Sequence, residues 1–591
     1  MPPEVTMRIH MNIPQRILAL CLIFAAGIGM GCLSEHFISE NSRFESFTEK
    51  LFQSEVSSNT LTLHYTLANP HKKGIEKTEA TLGSALSDSD KTTSLCREYE
   101  NELKSFAYSK LSRENQLTCD MLLLYFHTRA ALGKNSILDE PLSSGLGIQA
   151  QLPVLLAEYA FNTREDISDY LKLLGTIKPY FRSILELEEQ KSSAGLFMSD
   201  TTLDRILKQC QAFIADPDSN YMDDIFAQKL KTFSTPALSD NDRQKLCTYH
   251  HRLICEEVIP AYQELMSGLE KLRGTGKSSR GLAFFDGGRE YYLYLLRNQT
   301  GTYVPVKRIE KRLSAQLLSD YQQIRSMLQK DASLISALSK YSDKLTLTPE
   351  QMLDSLPKLI ADDFPSLGEV TYEIRSVHSS MKSFLSPAFY LTPPIDTQSP
   401  NVIYINDSGR TTSLELFGTL AHEGFPGHLY QTVSFARSNP SDIRYLITSS
   451  GYVEGWATYV ESYGYGYAAS LMKDAAATNA VQLAWLNRSM NLCIYSLIDI
   501  GIHYRGWDSA RTAAFLKAFG ITNASAGSEI YQYIVETPGN YLKYCWGYLN
   551  FLDLKTASQK KLGDDFNLKE FHRRILEIGP VQFPVLEKYM K

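Results

Sequence analysis

Two histidines and a glutamate stand within seven positions in the segment His422-Glu423-Gly424-Phe425-Pro426-Gly427-His428. An adjacent His-Glu pair is a common start of a zinc hydrolase site, where the imidazole binds metal and the carboxylate takes a proton from water. The usual arrangement is H-E-x-x-H, with its histidines four apart on one helix face. Here they are six apart. At about 100° per residue, an unbroken helix would turn the second ring roughly 120° away from the first. Pro426 changes that expectation, because its ring clashes with the carbonyl one turn back, and Gly427 loosens the backbone beside it. A Pro-Gly break is expected to swing His428 back toward the ion that His422 holds.

Glu454 lies 26 positions after His428, in the stretch Gly451-Tyr-Val-Glu-Gly-Trp-Ala-Thr-Tyr-Val-Glu461. That separation lets a following helix return antiparallel and present a third ligand. Two His and one Glu leave a position open for water, which is the catalytic form of a zinc site. Glu461 comes seven residues later, two turns along the same face.

Two more helices carry polar groups of interest. Between Leu483 and His503 the chain is mostly apolar, yet Asn491, Tyr495, Asp499 and His503 recur every four residues, with Arg488 near the same face. Polar groups in a line on a buried helix need partners, since each unsatisfied one costs about 1–3 kcal/mol. Such a line is either a hydrogen-bonded seam between helices or a wall of the active site. In the second reading His503 aims at the substrate or transition state, and Arg488, Tyr495 and Asp499 hold the substrate. Thr537-Pro538-Gly539-Asn540 then starts a helix with Tyr541, Tyr544 and Tyr548. A Tyr hydroxyl can donate to an oxyanion. Tyr544 is the candidate for that role, and Tyr541 for substrate binding. Arg410, Arg488 and Lys543 are the cations that could bind a peptide carboxylate.

The positioning elements are mostly helical. From Leu61 to about Arg273 apolar residues repeat at three and four, as in Asp166-Ile-Ser-Asp-Tyr-Leu-Lys-Leu-Leu. Gly288 onward opens another helix, Thr348-Pro349-Glu350 looks like a helix start, and Thr412-Ser-Leu-Glu415 fits a capping box for the helix of the His-Glu motif. Tyr372–His378 alternates, and Ala388–Thr392 and Asn401–Asn406 read as short strands around a Pro-rich loop. The edge of such a sheet could hold an extended peptide. The expected division is a polar tether over 34–60, a helical region over 61–370 and a metal-binding catalytic region over 371–591.

Composition narrows the function classes. With 43% hydrophobic and 21% charged residues, the 591-residue chain is globular. A net charge of −6 and the lack of a basic block argue against nucleic acid as a partner. The nine cysteines show no C-x-x-C pair, which excludes a thiolate metal cluster. Ile17–Leu33 is an uncharged apolar run preceded by Arg8 and Arg16, the layout of an export signal or membrane anchor. Gly31-Cys32 at its end resembles the processing site of bacterial lipoproteins, with Gly29 where Leu is usual. Residues 1–33 are therefore expected to export the chain and to hold it at the cell membrane.

Together, H-E-G-F-P-G-H, E-G-W-A-T-Y-V-E, D-I-G-I-H and P-G-N-Y-L-K-Y resemble the bacterial domain-of-unknown-function 885 family, which looks like a zincin-type metallopeptidase group. The resemblance covers most of the chain after Leu61. It implies a mainly α, zincin-like helical fold with an active-site cleft and a small β element, similar to carboxypeptidase Taq and thimet oligopeptidase. Carried onto this sequence, His422, His428 and Glu454 hold Zn2+ and Glu423 is the base. Leu429 stands where many relatives carry a further His, and Asn540-Tyr541 replace a Gln-Ala pair. The expected function is a zinc-dependent peptidase with His503 and Tyr544 stabilising the oxyanion. The alternatives are a zinc amidase or esterase, and a non-catalytic surface binding protein.

Overall fold

The computed structural model describes residues 39–591, apart from 77–78, 235–237, 379–381, 383–385 and 410. The export segment, Cys32 and Arg410 lie outside the described residues. Helices dominate, and a single three-stranded sheet interrupts them.

The tether expected for residues 34–60 gives way to a helix at Glu40–Val56, capped by the Ser39 hydroxyl. Its polar composition hides a buried apolar stripe of Phe44, Phe47, Leu51 and the adjacent Phe52, and Val56, which recurs at helical spacing. This stripe packs into the main hydrophobic core, which continues through Tyr292 and Leu353 to Phe417, Trp456 and Leu586. The expected boundary at residue 370 therefore does not divide the core. A second core, built by residues between Leu82 and Leu269, belongs to the N-terminal helices alone.

The elements around the candidate site are Gly288–Thr300 (α1), Pro349–Leu359 (α2), Glu373–Ser376 (β1), Ala388–Leu391 (β2), Val402–Ile405 (β3), Ser413–Glu423 (α3) and His428–Arg437 (α4). They continue with Ser450–Met472 (α5), Ala475–His503 (α6), Ala524–Glu536 (α7) and Asn540–Leu562 (α8). Thr348 caps α2 and Thr412 caps α3, each in a reciprocal capping box. The strands stand in the order β1-β3-β2, with β1 parallel and β2 antiparallel to β3. Central β3 is buried on both faces. Ile403 and Ile405 join the main core, while Val402 and Tyr404 pack with Val377 and Ala157. The outer edge of β2 lies against α3.

Helices α5 and α8 touch backbone to backbone. A Cβ added at Gly455 would lie 2.4 Å from the Cα of Gly547, so neither position has room for a side chain. No helix among the described residues is long and apolar enough to cross a membrane.

Candidate metal centre

Helix α3 ends at Glu423 and α4 begins at His428, so the expected kink is a complete break. Between them the chain folds back over the last turn of α3. At Gly427 a Cβ would sit 1.7 Å from the carbonyl oxygen of His422, a position only glycine can occupy. The indole Nε1 of Trp456 donates to the carbonyl of Pro426 at 2.9 Å and ties this turn to α5.

The break brings the two imidazoles together. Their ring centroids are 4.8 Å apart and the rings stand nearly perpendicular, at 87°. Ligand atoms of His422, Glu423 and His428 lie within 4.8 Å of one another. Glu454 on α5 completes the group, with Oε2 3.6 Å from His422 Nε2 and 3.4 Å from His428 Nε2. Tetrahedral ligands on zinc bonds of about 2.0–2.1 Å stand roughly 3.4 Å apart. The two distances to Glu454 match that spacing, so the residues present fit a zinc ion.

Supporting contacts separate the roles of the carboxylates. Glu461 Oε2 is 3.4 Å from His422 Nδ1, on the side of the ring away from Glu454. Its other oxygen accepts from Arg488 Nε at 3.0 Å. A carboxylate behind a ligating imidazole fixes its tautomer and orientation. Glu423 Oε2 instead accepts the backbone N–H of Tyr390 on β2 at 2.9 Å, which holds this carboxylate at the sheet edge. Tyr544 on α8 has its ring 6.4 Å from that of His422, and its hydroxyl pairs with Glu454. Lys543 Nζ stands 3.8 Å from Glu454 Oε1.

Electrostatics show what the site lacks. Burial opposes a charge on His422, yet the Glu454 and Glu461 carboxylates outweigh it and raise its pKa to about 10. For Glu461 burial acts upward, but Arg488 and His422 bring its pKa down to about 2. Glu454 lies well below the ordinary carboxyl range, since the two imidazoles overcome its desolvation. Three carboxylates face two imidazoles, with Arg488 on Glu461 and Lys543 near Glu454, and the remaining negative charge favours a proton on His422.

His503 and Asp499 take no part in this cluster, which corrects their expected roles. His503 is fully buried, and its Nδ1 accepts the N–H of Leu282 at 3.2 Å. Its Nε2 therefore carries the proton and donates to the carbonyl of Ile534 at 2.8 Å. Burial lowers the ring's pKa to about 4. With both nitrogens occupied by backbone, His503 has no donor left for an oxyanion. Asp499 accepts from the Tyr292 hydroxyl at 2.5 Å and from the N–H of Gly539 at 2.8 Å. Burial raises its pKa to about 7 and keeps it away from substrate. These two residues form the seam, and they lock the turn that starts α8. Tyr495 and Tyr541 pair with ring centroids 4.9 Å apart and stay half-buried, while Arg488 is spent on Glu461.

One contributor escaped the sequence reading, and a second was noted there without a role. The amide of Tyr390 has no side-chain signature. Glu461 did have one, since its seven-residue spacing from Glu454 puts both on the α5 face that looks at α3.

The chain belongs to a bacterial family, described as bacterial protein of unknown function (DUF885), whose match spans residues 73–590. Among solved structures it is similar to a "putative lipoprotein" from Colwellia psychrerythraea, with a TM-score of 0.80 at 18% identity over 94% of this chain and 99% of that one. It is also similar to a "putative lipoprotein of unknown function" from Shewanella oneidensis, with a TM-score of 0.61 at 13% identity over 92% and 99%. No curated protein matches the chain.

Proposed function

We propose that the protein is a zinc-dependent peptidase of zincin type. The observation that carries this reading is the placement of Glu454 Oε2, at tetrahedral-ligand spacing from both His422 and His428, while the Tyr390 amide holds Glu423 aside. A structural zinc site does not need that extra carboxylate.

His422, His428 and Glu454 would hold the metal. Zinc bound there would polarise the scissile carbonyl and make the attacking water more acidic. Glu423 takes the proton from that water through its unclaimed oxygen and passes it to the leaving amine. The Tyr544 hydroxyl, paired with Glu454 in this structure, would turn toward the oxyanion once a metal claims that carboxylate, a role for which His503 has no free nitrogen. Glu461, braced by Arg488, keeps the His422 ring in register. With the Tyr390 amide taken by Glu423, an extended peptide would pair with the remaining outward main-chain groups of β2. The apolar run over 17–33 and the wording attached to both structural neighbours support export, with the chain held at the membrane by that run or by lipid at Cys32.

The test pairs turnover with metal content. Purified protein should hydrolyse peptides, lose activity to a chelator and regain it with zinc. Glu423→Gln should cut the rate by about 10²–10⁴-fold while zinc, measured by elemental analysis, stays bound. Full activity in that variant would remove Glu423 as base. Failure of the wild type to bind zinc would remove the whole reading, and a parallel panel of amides and esters checks the acyl class.

A further inference from the structure

We infer that Lys543, together with the cavity it borders, forms a subsite for a substrate carboxylate beside the metal centre. The inference rests on the peptidase reading and narrows its substrate class.

Three cations were legible as carboxylate binders. Arg488 is bound to Glu461, and Arg410 lies outside the described residues. Lys543 stands in the first turn of α8, next to Tyr544. Its amine lies over the Tyr544 ring at 5.1 Å and 3.8 Å from Glu454 Oε1, too far for a hydrogen bond. The same side chain borders a cavity of about 260 Å³ between the N-terminal helices, α1 and the start of α8. Lys543 therefore lies between Glu454 of the metal centre and a half-open cavity large enough for a residue's side chain.

The acids of that cavity are already engaged. Glu140 shares the buried Lys191, at 2.8 Å, with Glu188, which does not line the cavity. Glu536 accepts from Gln532 at 2.6 Å and from Ser144. Asp139 accepts from the Tyr291 hydroxyl at 3.1 Å. None of them pairs with Lys543, whose one ion-pair neighbour among the described residues is Glu454. Glu454 is the carboxylate a metal would claim, and a divalent cation beside an ammonium repels it. An anion brought by the substrate resolves that repulsion. An ammonium with three donors suits a carboxylate of varied approach. Because the amine is so near a metal ligand, and an extended chain rises about 3.3 Å per residue, the carboxylate sits within one or two residues of the scissile bond. It belongs either to the chain's C-terminus or to an Asp or Glu side chain.

Three peptides of one sequence distinguish these: one with a free C-terminal acid, one amidated, and one amidated with Glu beside the scissile bond. The zinc-loaded full chain should favour a carboxylate-bearing peptide over the plain amide by about 10- to 100-fold in kcat/KM. Preference for the free acid alone identifies the C-terminus, and preference for the Glu peptide alone identifies the side chain. Lys543→Met should bring the ratio toward one, and Lys543→Arg should restore most of it. Equal cleavage of all three by the wild type, or an unchanged ratio in Lys543→Met, overturns the subsite and leaves the peptidase intact. Calorimetric binding of the free-acid and amidated peptides to Glu423→Gln gives a readout that needs no turnover. Preference there without cleavage by the wild type would overturn the peptidase reading and leave the subsite standing. Equal binding would overturn the subsite.

Discussion

His422 and His503 are both buried imidazoles near the ends of core helices, but the first meets carboxylates and the second meets backbone groups. Around His503 and Asp499 donors and acceptors cancel one by one: Leu282, Ile534, Tyr292 and Gly539 each meet one atom. Each group there shifts toward its neutral form, with His503 lowered to about 4 and Asp499 raised to about 7 by burial. Around His422 the balance fails. Glu423, Glu454 and Glu461 supply more acceptors than the neighbouring donors satisfy, and the imidazole is pushed up to about 10 despite its burial. Residue types and periodicity look alike in the two places. What distinguishes a site from a seam is an excess of negative charge, which a proton on His422 or a bound cation would offset.

The largest test of that contrast exchanges the two histidines' fates. His422→Ala should abolish zinc binding, hydrolysis and any rise of the melting temperature on adding zinc, since a metal stabilises only the state that binds it. His503→Ala should keep the zinc-dependent rise but lower stability, by about 1–3 kcal/mol for each orphaned backbone group. Retention of the zinc response in His422→Ala would erase the distinction. A smaller effect is expected from Glu461→Gln, which should weaken zinc affinity by about 10–100-fold in a chelator competition, as loss of a carboxylate behind a ligand does. Unchanged affinity would make Glu461 a packing residue.

The smallest test concerns pH. An ordinary Asp titrates near 3.9, whereas folded Asp499 titrates at about 7. The folded chain therefore keeps a proton that the unfolded chain releases between about pH 4 and 7. The stability from this group is complete below pH 4 and is lost as pH rises through 7, on the order of 1.4 kcal/mol per unit. Asp499→Asn cannot titrate, so its stability relative to the wild type should rise across that window. A difference independent of pH would mean that Asp499 is not held neutral.

Much of this arrangement was legible beforehand. The helix starts at Thr348 and Thr412 followed from capping chemistry, and the break at Pro426 followed from the clash of the proline ring with the carbonyl one turn back. The short strands showed in their alternation. The seam was legible only as one of two readings, because a periodic polar stripe does not say which backbone groups will meet it. The helix at Glu40–Val56 was masked by its charged face. Glu423's anchor was beyond reach for a simpler reason: any residue at 390 other than proline presents the same amide.

The Gly455–Gly547 contact limits how this chain can diversify. With no side chains between α5 and α8, their separation is governed by main-chain radii, and no volume change can widen or narrow it. Glu454 and Tyr544, one residue before and three residues before those glycines, travel as one rigid piece. Mutational drift can remodel the surrounding walls, and with them which molecules are admitted, while the separation of these two groups stays pinned.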